Sequence, residues 1–330
     1  YWFKLSRQER RLDSSNFVHP LLGQKLNLAK LNSVYFENLL DLDRFPFLLE
    51  HRILGNVVFP MAGYLEMGIA AAKILNETDT FVIENFQIQQ PLVLEKNKTI
   101  QFIFSSEQNF EIYSSEPQSN HWLLHASGKI VSEKQATPNI NLKDVQKNCT
   151  HSVKINDYYE QFNLNGIDYG DSFRAINQLW QHKKTALGQI KLPENLVSDY
   201  SFHPILLDAC LQVIGATFEH DLEQTYLPVG IENLTVYSIP PNLTELWSYA
   251  EIQDSKKVNL TIFTTTGQTL IKIEDLELKA IQAKTELDYL YKIEWRSQEQ
   301  LENHYLAPHY FLKPDLIQSS LAPECQSLID

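Results

Sequence analysis

Two apolar stretches, PMAGYLEMGIAAAKIL (residues 60–75) and HPILLDACLQVIGATF (residues 203–218), constrain the fold more than any other feature. Each carries a proline at a plausible first helical position, Pro60 and Pro204. Their apolar residues run nearly all round the helix, the pattern of a buried helix rather than a surface one. Such a helix has to be covered on every side, and each is followed by short β-rich segments with alternation and β-branched residues. After the first these are predicted at 80–86, 90–94, 99–105, 110–114 and 121–132; after the second, at 231–237, 245–252, 258–265 and 269–281.

The two series match in detail. Ile83-Glu84-Asn85-Phe86 recurs as Ile231-Glu232-Asn233-Leu234, each one strand downstream of its helix, and both series close on a long alternating strand. A four-residue match is weak alone, but its place in two like successions of elements points to internal duplication. One buried helix wrapped by an antiparallel sheet, twice over, is an α+β architecture. The expected division is an upstream linker at 1–18, an N-terminal unit at 19–132, a connection at 133–150, a C-terminal unit at 151–285, and an exit strand with downstream linker at 286–330. The Tyr1-Trp2-Phe3-Lys4 start, with no initiator Met, is expected of a piece cut from a longer polypeptide.

Composition narrows the function. At 330 residues with 43% hydrophobic content the chain can fill a sizeable core, and its net charge of −13 argues against nucleic acid, which needs clustered Lys and Arg. No apolar run approaches the ~20 residues that span a bilayer. The three cysteines show no CxxC spacing, which argues against a disulfide framework or zinc site and for a cytoplasmic setting. Six Asn-x-Thr triplets, at Asn76, Asn97, Asn148, Asn233, Asn242 and Asn259, are read as incidental. His121 and His125 sit in a strand-like context without a third ligand, so no metal is expected. Cys210 lacks a base at a recognisable spacing and reads as a buried thiol.

The chemistry concentrates at the two helix starts. His51 offers a base whose ordinary pKa suits the role. Gly55 offers a backbone N–H to polarise a carbonyl, helped by the helix N-terminus beyond Pro60. Asp208 stands among Ile205, Leu206, Leu207, Ala209, Cys210 and Leu211, whose desolvation raises a carboxyl pKa toward that of a proton donor. Equivalent positions of a duplicated fold can face each other, here across a slot lined by Leu54, Val58, Leu206 and Leu207. A base, a carbonyl clamp and an acid serve proton abstraction α to a carbonyl with loss of a β-hydroxyl.

At these residues a resemblance to a known family is plain. His51…Gly55…Pro60 resembles the HxxxGxxxxP motif of dehydratase domains of modular polyketide synthases. His203-Pro204-Ile205-Leu206-Leu207-Asp208 with Gln212 is similar to their HPxLLDxxxQ motif, Gly166 to Phe173 (GIDYGDSF) to GxxYGxxF, and Leu227-Pro228 to LPxxI. The four motifs cover roughly residues 19–282; the Tyr-Trp start and Tyr291-Lys292-Ile293-Glu294-Trp295 resemble the flanking linkers. The residue after the motif proline, often glycine, is Met61 here.

The resemblance implies a double hotdog fold and a 3-hydroxyacyl substrate held as a thioester on the phosphopantetheine arm of an acyl carrier protein. No cofactor of the domain's own is implied. It implies syn elimination to a trans α,β-enoyl thioester, with His51 taking the Cα proton and Asp208 protonating the departing hydroxyl. Gln212 would orient Asp208, Tyr169 would bond near the hydroxyl, Gly55 would hold the carbonyl, and Pro60, Phe173 and Leu207 would shape the site. Partners implied are the carrier protein, neighbouring synthase domains and a second copy. Two rival readings are a same-fold enzyme that shifts a double bond or cyclises its substrate, and a non-catalytic scaffold that only binds the acyl chain.

Overall fold

The computed structural model describes residues 17–281, apart from 30–31, 76–79, 118, 134, 194–198, 219–224, 242 and 255–256. The described residues fall within one compact unit that ends at Ala283. Fourteen of their strands form one antiparallel sheet. At its middle, Phe81–Ile88 pairs with Thr225–Val236. Outward from the first run Leu123–Ser132, Asn109–Ser115, Lys98–Phe104, Val34–Leu40, Gly23–Leu26 and Phe17–His19; outward from the second run Thr269–Ile281, Lys257–Phe263, Glu245–Ile252, Thr185–Lys191, Ile176–His182 and His151–Val153. The two sides therefore carry matching strands in matching order.

The repeated tetrapeptide sits at that junction. Ile83 pairs with Leu234 and Phe86 with Ile231, so the two copies lie antiparallel to each other about a local two-fold. All four apolar side chains are buried.

Four α-helices complete the described fold: α1 (Met61–Leu75), α2 (Leu142–Asn148), α3 (Ile155–Leu164) and α4 (Pro204–Gln212). Every residue of α1 from Met61 to Ala72, and every residue of α4, is buried. Ala, Leu and Met favour the helix in α1, and its packing is close: a Cβ on Gly68 would lie 3.1 Å from Ile83 Cδ1. α4 opens on Pro204 with His203 as its cap, the Nδ1 accepting the Ile205 N–H at 3.1 Å. The helices α1 and α4 pack on each other beneath the sheet. Antiparallel sheet wrapped round two central helices is the double hotdog architecture, α+β in class.

Several expectations change. The 90–94 segment is no strand: Pro91 lacks an N–H, and the chain instead braces residues 57–59 through Phe59 N–H to Leu92 O and Leu94 N–H to Val57 O, each 2.9 Å. Residues 133–150 contain α2, capped by the Asn141 side chain. Residues 203–218 are α-helical to Gln212, then tighten into a 3-10 turn at Val213–Thr217. The linker expected at 1–18 gives way to a strand from Phe17. The exit strand expected at 286–296, the tail and the Tyr1-Trp2 start lie outside the described residues.

Buried Glu66, on α1, was hidden by its apolar neighbours. It bonds His19 Nε2 at 3.0 Å and accepts the Ser201 and Phe202 N–H groups, tying the first strand and the approach to α4 onto α1. Burial pushes its carboxyl pKa up.

Candidate active site

His51 begins a short strand, His51–Ile53, that turns through Leu54 and Gly55 into Asn56–Val57. Both turn residues have positive φ, 48° and 80°, a conformation that glycine tolerates at the second position. The GIDYGDSF segment then crosses from the other half: Ile167–Tyr169 pairs with this hairpin, Tyr169 opposite His51. Glu50 clamps the crossing, accepting Ser172 N–H at 2.6 Å and Ser172 Oγ–H at 2.9 Å. Gly170 leaves room for it, since a Cβ there would lie 2.7 Å from the Glu50 side chain.

The hairpin aims the imidazole. Its Nδ1 lies 2.7 Å from Val58 O, and a carbonyl only accepts, so Nδ1 carries a hydrogen and, in the neutral ring, Nε2 holds the lone pair. Nε2 faces Asp208 Oδ1 at 3.9 Å, too far for a hydrogen bond. Both residues are buried. The rings of Tyr169 and Phe173 stand 5.6 and 5.3 Å from the imidazole. Burial raises the Asp208 pKa, opposed more weakly by His51 and by the Gln212 hydrogen bond. The carboxyl is thus biased toward its protonated form where it faces the imidazole across one space.

That space is a cavity of about 400 Å³. His51, Val58, Pro60, Met61, Tyr169, Asp208 and Gln212 line it, together with Leu227 and Pro228 of the LPxxI stretch. Gln212, one helical turn beyond Asp208, donates from Nε2 to Asp208 Oδ2 at 2.9 Å and to Phe173 O at 3.0 Å. No group of three or more His, Cys, Asp or Glu among the described residues is placed to hold a metal ion.

Other expected residues fall elsewhere. Gly55 is exposed at the hairpin tip and does not line the cavity, because the turn that aims His51 carries Gly55 away from it. Pro60 and Met61, at the start of α1, line the cavity instead. Leu54 is exposed as well, against Gly166, whereas Leu206 and Leu207 point into the core. Phe173 is fully buried and meets the site through its carbonyl and its ring edge. His125 bonds Ser114 Oγ and Gln90 O, a structural role, and His121 takes no part in it. The α3 residues Tyr158 and Tyr159, both bonded to Gln212, escaped sequence reasoning because 151–165 shows no long apolar period.

A double hotdog with a histidine and an aspartate from opposite halves facing one cavity defines the class of the protein. Residues 138–288 match the family described as polyketide synthase dehydratase N-terminal domain, and residues 19–115 that described as polyketide synthase dehydratase domain. Among solved structures, the dehydratase domain from the CurK module of curacin polyketide synthase is 37% identical, with a TM-score of 0.75, over 81% of this chain and 99% of that one. The corresponding CurF domain is 33% identical, with a TM-score of 0.74, over 80% and 99%. A highly reducing polyketide synthase of Glarea lozoyensis is 28% identical over 72% of this chain, and the phenolphthiocerol synthesis polyketide synthase Pks15/1 of Mycobacterium marinum 30% over 64%. The chain belongs to the polyketide synthase dehydratase domains. It spans about a tenth of the length of those two synthases, 10% in each case.

Proposed function

We propose that the domain removes water from a 3-hydroxyacyl thioester carried on the phosphopantetheine arm of an acyl carrier protein. The observation that carries this is the 3.9 Å approach of His51 Nε2 to Asp208 Oδ1 inside the cavity. His51 Nε2 takes the Cα proton while the carbonyl oxygen, gaining charge, lies at the N-terminus of α1 near the Met61 N–H. Asp208 gives its proton to the β-hydroxyl as the C–O bond breaks, and water leaves. The products are the enoyl thioester, an imidazolium and a carboxylate; one proton passed back from His51 to Asp208 restores the start. Acid and base this close work on one face of the Cα–Cβ bond, which supports syn elimination; the trans product is what the family resemblance implies. Tyr169 lines the wall beside His51, within reach of the hydroxyl.

The CurK dehydratase is known in two inactive forms, one with histidine replaced by phenylalanine and one with aspartate replaced by asparagine. The same pair of residue types here is His51 and Asp208. The test is mass spectrometry of a 3-hydroxyacyl carrier protein incubated with the domain. Loss of one water by the parent and none by His51→Ala or Asp208→Asn is expected; full turnover by either folded variant sinks the assignment.

A further inference from the structure

We propose that Tyr159, on α3, is a positioning residue for the acid: acting through the Gln212 amide, it decides which oxygen of Asp208 carries the proton. The inference rests on the reading of Asp208 as the proton donor. The chain of hydrogen bonds has only one consistent direction. The Ile176 backbone N–H, which can only donate, points at the Tyr159 hydroxyl oxygen at 3.3 Å. The hydroxyl therefore directs its own hydrogen to Gln212 Oε1, 2.9 Å away.

With Oε1 held there, Nε2 faces Phe173 O, which can only accept, and Asp208 Oδ2. Both Gln212 N–H bonds are thus spoken for, and Oδ2 must be an acceptor. The acid proton is left to Oδ1, the oxygen that faces His51 Nε2. Tyr159 and Gln212 are each only 4% exposed, so water does not replace a lost partner.

Removing the hydroxyl with Tyr159→Phe leaves Oε1 a buried acceptor without a donor. The amide then gains by turning away from Asp208, and Oδ2 becomes free to hold the proton on the side remote from the substrate. The expected result on a carrier-bound 3-hydroxyacyl substrate is a kcat about tenfold lower with KM little changed. Gln212 holds the Asp208 pKa down, so its loss moves the alkaline limb of the kcat profile to higher pH. The titratable groups facing Asp208 are His51, Tyr159, Tyr169 and Cys210; burial pushes the two phenols and the thiol upward, out of that range. A merely structural loss scales the whole profile and moves no limb.

The closing experiment is a double-mutant cycle. Tyr159→Phe is expected to cost about tenfold in the parent and less than twofold in Gln212→Ala. Equal losses in both backgrounds, or an unchanged kcat in Tyr159→Phe, overturn the inference. If the variant does not fold, the Gln212 side-chain amide protons of the parent are read by NMR: slow exchange for both supports the network, and rapid exchange refutes it. His51→Ala is assayed alongside. Full activity in it defeats the reading of the site, whereas an inactive His51→Ala beside a fully active Tyr159→Phe defeats this inference alone.

Discussion

The cap of α4 makes the protein acid-sensitive in a way that one substitution exposes. His203 is buried, its Nδ1 accepts the Ile205 N–H, and the rings of Phe47 and Tyr200 stand 6.0 and 4.8 Å away. Burial without a charged partner pulls its pKa down to about 4. The folded value lies below the unfolded one of about 6.5. The neutral ring's contribution is therefore intact above pH 6.5, is lost progressively as the pH falls from 6.5 to 4, and changes little below that. That gap corresponds to about 2 kcal/mol lost at pH 5 and about 3 kcal/mol near pH 4. His203→Asn keeps a side-chain acceptor for the cap and removes the titration, giving up about 1 kcal/mol of ring packing at neutral pH. Urea denaturation of both proteins at pH 7.5, 6 and 5 is the assay. The parent is expected to be the more stable at pH 7.5 and the less stable at pH 5, so the two curves cross. Parallel curves would refute the account of His203 as a neutral buried cap.

Turnover should decline as the pH rises past the raised pKa of Asp208, because the acid form is then lost; a kcat that climbs steadily to pH 10 contradicts the acid role. Glu66→Ala strands His19 and two backbone N–H groups, and chemical denaturation should show a loss of about 3 kcal/mol, against a smaller loss for Glu66→Gln. Gly55→Ala should cost about 1 kcal/mol through positive φ alone, since its Cβ would meet nothing within 4 Å. Gly188→Ala places a Cβ 2.4 Å from Val213 Cγ2, and a loss of about 1–3 kcal/mol from overpacking is expected in the same assay.

Both central helices and most of the strands that follow them were legible because each carries an unbroken period and a clear boundary residue, as at Pro60 and Pro204. Strands in 17–40 and 151–191 were not, since several are short and part-exposed, with polar residues such as Gln178 and Gln181 interrupting the alternation. Duplication brought His51 and Asp208 under suspicion together, and the structure places them 3.9 Å apart. The errors around them share one cause. Which side of a turn or helix faces a cavity depends on tertiary packing, so Gly55 and Leu54 went to solvent and Leu206 and Leu207 to the core. Polar groups inside apolar runs, Glu66 above all, become visible only once their partners, distant in sequence, are placed.

The pairing of Phe81–Ile88 with Thr225–Val236 has a consequence for how such a domain can fail. Strands advance about 3.3 Å per residue, so slipping this ladder by one position would shift the halves by nearly the whole distance now separating His51 from Asp208. It would also part Ile83 from Leu234 and Phe86 from Ile231, all four buried where they now pair. The buried side chains that hold this register thus set the gap between His51 and Asp208, and on the proposed mechanism substitutions there would be read as lost turnover in a chain that still looks folded.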